Sequence, residues 1–198
     1  GGRYLFYDAR GHGRSVPWGD EPTSVPTLAA DLAAIIAASR LDSVILAGHS
    51  LGGMTLLQYC HDHPASVGGP SGVVRGLALC NTTFGDVINS LLLRPLPAVA
   101  QRGLRAIGDW LLADPDRWGE LQSMPPALAQ WLVRWIGFAR GASPTQLAYL
   151  GTFDASYANP ALSRLLGSIL SLDLRETLES LTVPVLVVTG AQDRLIGR

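Results

Sequence analysis

A chain of 198 residues with an apolar fraction of 47% and a charged fraction of 16% has the makeup of a folded globular core, and its length suits one domain with room for an inserted lid. A formal net charge of −1, with no run of basic residues, excludes an electrostatic footprint for nucleic acid or an anionic membrane surface. All 15 basic residues are arginine, which rules out Schiff-base chemistry and a P-loop lysine.

The chain opens Gly1-Gly2, without a methionine, and passes at once into Tyr4-Leu5-Phe6-Tyr7, an apolar and aromatic run closed by the turn-rich Asp8–Ser15. Arg3–Asp8 is therefore expected to be a buried strand. Three prolines and a glycine make Pro17 to Pro26 a loop. Thr27 to Arg40 is a predicted helix, with Leu28, Leu32, Ile35 and Ile36 at i, i+4, i+7 and i+8 on one stripe. Val44-Ile45-Leu46-Ala47 is a β-branched strand that runs into Gly48-His49-Ser50-Leu51-Gly52-Gly53. A helix over Leu51 to Asp62 follows, stopped by Pro64, and Val73 to Cys80 is the next strand. From Phe84 to Leu181 helical stretches rich in Leu, Ala and Trp are broken by prolines, and Val183 to Thr189 returns to strand. Strand and helix in alternation imply an α/β protein with a doubly wound, mostly parallel sheet. The helical segment before the last strand implies a lid. The expected organisation is a core of residues 1–84 and 182–198 with a lid over residues 85–181.

Gly48-His49-Ser50-Leu51-Gly52 matches G-x-S-x-G, and the strand before it and helix after it are the context in which that motif presents a nucleophile. The turn is sharp and the serine strained, so its hydroxyl projects above the sheet. Gly48 and Gly52 have no side chains to obstruct the turn, and Gly53 extends that tolerance. The helix N-terminus behind Ser50 offers unpaired N–H groups, which makes the Leu51 backbone N–H a candidate oxyanion donor. The competing interpretation is an ordinary strand-to-helix turn in which the serine caps the helix. Cys60 and Cys80 make no disulfide framework and are expected to be small buried hydrophobes.

Three segments in order carry a resemblance. Asp8-Ala9-Arg10-Gly11-His12-Gly13-Arg14-Ser15 has the form D-x-R-G-x-G-x-S; Gly48–Gly53 has the form of the elbow; Val183–Asp193 has the form of a late strand ending on a G-x-x-D turn. Together they resemble the α/β-hydrolase superfamily over nearly the whole chain, in particular small bacterial members such as esterases, haloperoxidase-like proteins and enol-lactonases. The resemblance implies that Asp193 is the catalytic acid, with a solvated turn aspartate as the alternative and Asp86 as the runner-up acid. Asp8 is better explained as an anchor for the Arg10–Ser15 turn, bonding its backbone N–H groups.

In such proteins the triad runs Ser, then Asp or Glu, then His. His12, His49, His61 and His63 all precede Asp193, so each is expected to be structural, and the catalytic histidine is expected beyond Arg198. The resemblance also places a further strand between those at Arg3–Asp8 and Val44–Gly48, and the loop after it supplies the second oxyanion donor; this sequence contains neither. Both ends are therefore expected to be cut. Residues 1–198 alone are expected to be marginally stable and to show no esterase turnover above a Ser50→Ala control. No apolar run is long enough to span a membrane and no signal peptide opens the chain, which favours the cytoplasm.

Leu128, Trp131, Leu132 and Trp135 share a helical face, and Trp110 with Leu111-Leu112 makes a similar patch. Both are expected to be lid core above a pocket for a small, uncharged, hydrophobic acyl substrate. No cofactor motif and no metal-ligand cluster is present in the sequence. The serine excludes the aspartate-nucleophile branches, dehalogenases and epoxide hydrolases. The readings are an ester, lactone or thioester hydrolase, a related acyltransferase or haloperoxidase-like member, or a non-catalytic ligand-binding protein on the same fold.

Overall fold

The structure, a computed structural model, describes residues 2–15, 23–85, 160–191 and 193, together with residues 102, 106, 110, 113, 143 and 145. Helix α1 spans Val25–Ser39, strand β1 Val44–His49, helix α2 Leu51–Asp62, strand β2 Val74–Cys80, helices α3 and α4 Pro160–Leu170 and Arg175–Ser180, and strand β3 Val185–Val188. The three strands form one parallel sheet in the order β1-β2-β3. Register pairs His49 with Cys80 and Cys80 with Val188, so the three strands end level. In parallel sheets of this kind, sites form beyond the carboxyl ends of the strands. Ser50, Asn81 and the turn that leads to Asp193 all emerge at that end.

Helix α1 begins two residues earlier than its apolar stripe predicts. Ser24 caps it, accepting from the Thr27 N–H at 3.2 Å, and proline is tolerated in the first turn, where its missing N–H has no partner to lose. It ends at Arg40, whose φ of 50° breaks the helix in the left-handed region. The buried cluster joins Leu28 and Leu32 of α1 to Met54, Leu57 and Cys60 of α2 and Val74, Leu77 and Leu79 of β2. Leu57 and Val74 are 1% and 0% exposed, and burying such a side chain is worth about 1.5–3 kcal/mol. Leu165, Leu172 and Leu174 belong to the same cluster, so the end of the 85–181 segment packs on the core. It is tied there by a bond from the Val25 N–H to Ser168 Oγ (3.0 Å) and by one between His61 Nδ1 and Thr177 Oγ1 (3.0 Å).

The parallel strands expected from Val44, Val73 and Val183 are present and start at Val44, Val74 and Val185. The strand expected at Arg3–Asp8 is not. Those residues join no ladder, and Tyr4 and Phe6 are 86% and 91% exposed. An apolar run becomes a strand only where a neighbour takes up its N–H and C=O groups. Among the described residues no strand lies alongside to do so, and Ile45 of β1 is itself largely exposed. The Asp8 loop does fold as its sequence suggests. Asp8 Oδ2 accepts from the Arg14 N–H (3.0 Å), its carbonyl accepts from Ser15 Oγ (2.6 Å), and Arg10 makes a two-pronged ion pair with Asp31 of α1 (2.6 Å each). Asp86, Leu111, Leu112, Leu128, Trp131, Leu132 and Trp135 lie outside the described residues. Trp110 is partly exposed. No helix among the described residues is long and apolar enough to cross a membrane.

Candidate active site

Ser50 stands between the last residue of β1 and the first of α2, with φ 51° and ψ −119°. A non-glycine residue in that region costs on the order of 1–3 kcal/mol and persists only where its surroundings hold it. They do so here from several directions. The Ser50 N–H donates to the Cys80 carbonyl at 3.0 Å, while its own carbonyl accepts from the N–H groups of Gly53 (2.9 Å) and Met54 (3.2 Å) and from Thr82 Oγ1 (2.7 Å). Its side chain makes no capping bond to α2. A capping serine spends its hydroxyl on the helix, and Ser50 does not do so.

The turn closes through glycine. A Cβ on Gly48 would lie 2.6 Å from Gly52 C and Gly53 N, and one on Gly53 would lie 2.5–2.6 Å from the Thr82 side chain. Gly52 is different: a Cβ there would meet nothing within 4 Å. The steric demand on a Cβ therefore sits at Gly48 and Gly53, and Gly52 contributes backbone atoms to the close approach at Gly48. Gly53 admits no Cβ because Thr82, two residues past β2, packs against it.

Leu51 is the first residue of α2, and the first N–H groups of a helix have no intrahelical acceptor. Asp193 follows β3 on a turn closed by its N–H to the Gly190 carbonyl (3.1 Å), and its Oδ2 accepts from Asn81 Nδ2. Asn81, one residue past β2, was not singled out by any sequence signal. It has φ 42°, and its N–H donates to the Val188 carbonyl at 2.8 Å. Residues 80–82 thus touch the elbow on one side and the Asp193 turn on the other.

The four histidines occupy other places. His12 Nδ1 lies 3.0 Å from the Arg10 carbonyl, His49 closes β1 with its side chain exposed, His61 contacts Thr177, and the His63 ring lies 4.9 Å from that of Tyr59. Burial pushes the Cys60 thiol up to about 11, so it stays protonated at neutral pH and is no nucleophile. Burial, and then the negative charge of Asp31, raise the Tyr7 hydroxyl above its ordinary value. Tyr7, His12 and Asp31 line a cleft of about 220 Å³ with Leu51 and Gly52. Leu51 and Gly52 of the elbow thus line it, while Ser50 and Asp193 are not among its lining residues. Among the described residues no group of three His, Cys, Asp or Glu side chains is placed to hold a metal ion.

A family model described as alpha/beta hydrolase fold matches residues 1–198. The AB hydrolase superfamily protein YisY of Bacillus subtilis (strain 168) is 26% identical over 214 residues, covering 98% of this chain and 65% of YisY. Among solved structures, a bromoperoxidase from Bacillus anthracis superposes with a TM-score of 0.65 at 18% identity, over 96% of this chain and 64% of that one. A hydrolase from Pseudomonas aeruginosa PA01 does so with a TM-score of 0.53 at 27% identity, over 96% and 62%. The chain thus spans less than two thirds of the length of each of these three proteins.

Proposed function

The chain belongs to the alpha/beta hydrolase fold family, and on that basis we propose that the whole protein is a serine hydrolase of small, hydrophobic esters, lactones or thioesters. Ser50 Oγ attacks the acyl carbonyl and a histidine takes its proton. Asp193 holds that histidine in the right tautomer and stabilises the imidazolium. The Leu51 N–H donates to the oxyanion. The histidine gives that proton to the departing alcohol or thiol, then takes one from the water that cleaves the acyl-enzyme and returns it to the serine. The histidine comes from outside residues 1–198, a reading supported by the separate placements of His12, His49, His61 and His63. Residues 85–181 act as an apolar lid, which is the reason for preferring an uncharged acyl group.

One observation carries the proposal: Ser50 is held at φ 51° between β1 and α2 by a hydrogen bond to Cys80 and one from Thr82, with its hydroxyl left out of helix capping. Strain of this kind persists where the fold over-determines it, and such positions cluster at active sites. The test is hydrolysis of p-nitrophenyl esters of increasing acyl length by the whole protein and by Ser50→Ala. Turnover that Ser50→Ala abolishes, greatest for short acyl chains, is the expected result. Turnover equal in both proteins overturns the role of Ser50, and none in either favours the ligand-binding alternative.

A further inference from the structure

The candidate nucleophile and acid lie far apart in sequence, yet three consecutive residues hold both. The Cys80 carbonyl accepts from the Ser50 N–H and Thr82 Oγ1 donates to the Ser50 carbonyl. Between them, Asn81 donates from its side-chain amide to Asp193 Oδ2, while its backbone N–H bonds the Val188 carbonyl of β3. The φ of 42° at Asn81 turns the chain sharply just past β2, and asparagine is among the few residues besides glycine that enter that region readily. Gly190 leaves room for the contact: a Cβ there would sit 3.3 Å from Asn81 Nδ2. An amide N–H2 donates and a carboxylate oxygen accepts, so the bond fixes rotation of the Asp193 carboxylate.

We propose that Asn81 is a positioning residue: its amide sets the orientation of the Asp193 carboxylate, and residues 80–82 lock that carboxylate and Ser50 into one frame. The inference rests on the serine-hydrolase reading above. It adds to that reading a residue that touches neither substrate nor reacting atoms and acts through Asp193.

The test uses the whole protein and a p-nitrophenyl ester. Asn81→Gly keeps the backbone freedom that φ 42° requires and removes only the donor. It is expected to lower kcat about ten- to a hundredfold, the effect of losing one hydrogen bond to a charged group, with KM within about twofold. Asn81→Asp also suits the backbone but sets a second carboxylate against the first, and is expected to cost more than Asn81→Gly. The deciding measurement is a double-mutant cycle. In an Asp193→Ala background, Asn81→Gly is expected to have no further effect, because the group it acts through is gone. An Asn81→Gly enzyme with wild-type kcat, or one whose loss is the same with and without Asp193, overturns the positioning role while the serine reading stands on its Ser50→Ala control. Turnover that survives Ser50→Ala overturns that reading, and this inference with it.

Discussion

Replacing Gly48 with alanine tests whether the turn at Ser50 is as tightly closed as it looks. The new methyl would lie 2.6 Å from Gly52 C and Gly53 N and 2.7 Å from Gly52 O. All three are backbone atoms, so no side chain can swing aside, and β1 and α2 must part. Overpacking of this kind costs about 1–3 kcal/mol. Alanine recovers about 0.4–1 kcal/mol of that by restricting the unfolded chain. The expected net loss is about 1–2 kcal/mol, which at this chain length lowers Tm by about 2–4 °C per kcal/mol. Gly52→Ala is the internal control. It adds a methyl that meets nothing within 4 Å, early in α2, where alanine is favoured over glycine by about 0.5–1 kcal/mol. Thermal unfolding followed by circular dichroism on the whole protein reads both. Gly48→Ala should melt lower and Gly52→Ala at the wild-type temperature or above. A Gly48→Ala protein as stable as wild type, or a Gly52→Ala protein equally damaged, would refute the packing argument.

Three further outcomes are expected. The Cys60 thiol is raised by burial from its ordinary 9.0 to about 11, so its contribution to stability is intact below about pH 9 and lost as pH rises through about 11; Cys60→Ala should flatten the stability profile across that window in denaturant titrations. Arg10 and Asp31 form a two-pronged pair with side chains 27% and 29% exposed, so a double-mutant cycle with Arg10→Ala and Asp31→Ala should give a coupling of about 1 kcal/mol after allowance for solvent screening, and none if the pair is incidental. Asp193→Asn should leave the fold intact and cut ester turnover by about four orders of magnitude while Asp86→Asn is mild; the reverse ranking would move the acid to the earlier strand.

The elements legible in the sequence are those whose signal is local. The apolar stripe of α1, the β-branched run of β1 and the glycines around Ser50 each declare themselves within a few residues, and α1 and β1 form within two residues of where they were expected. The Asp8 turn is legible for the same reason, since its partner Arg14 is six residues away. What the sequence did not disclose depends on neighbours distant in the chain. Tyr4–Tyr7 is apolar enough for a strand, but apolarity does not supply a ladder partner. Gly53 outranks Gly52 only because Thr82 arrives from β2 to pack on it. Asn81 has no motif of its own; its contact with Asp193 joins residues 112 apart and exists only because β2 and β3 end level.

The account turns on the chemical state of one hydroxyl, and covalent labelling reads it most directly. The whole protein would be treated with a fluorophosphonate probe at neutral pH and the adduct mapped by peptide mass spectrometry. The account predicts a single stoichiometric adduct on Ser50, absent from Ser50→Ala and slowed in Asp193→Asn. A protein that stays unlabelled at Ser50, or carries the adduct on another residue, would contradict it.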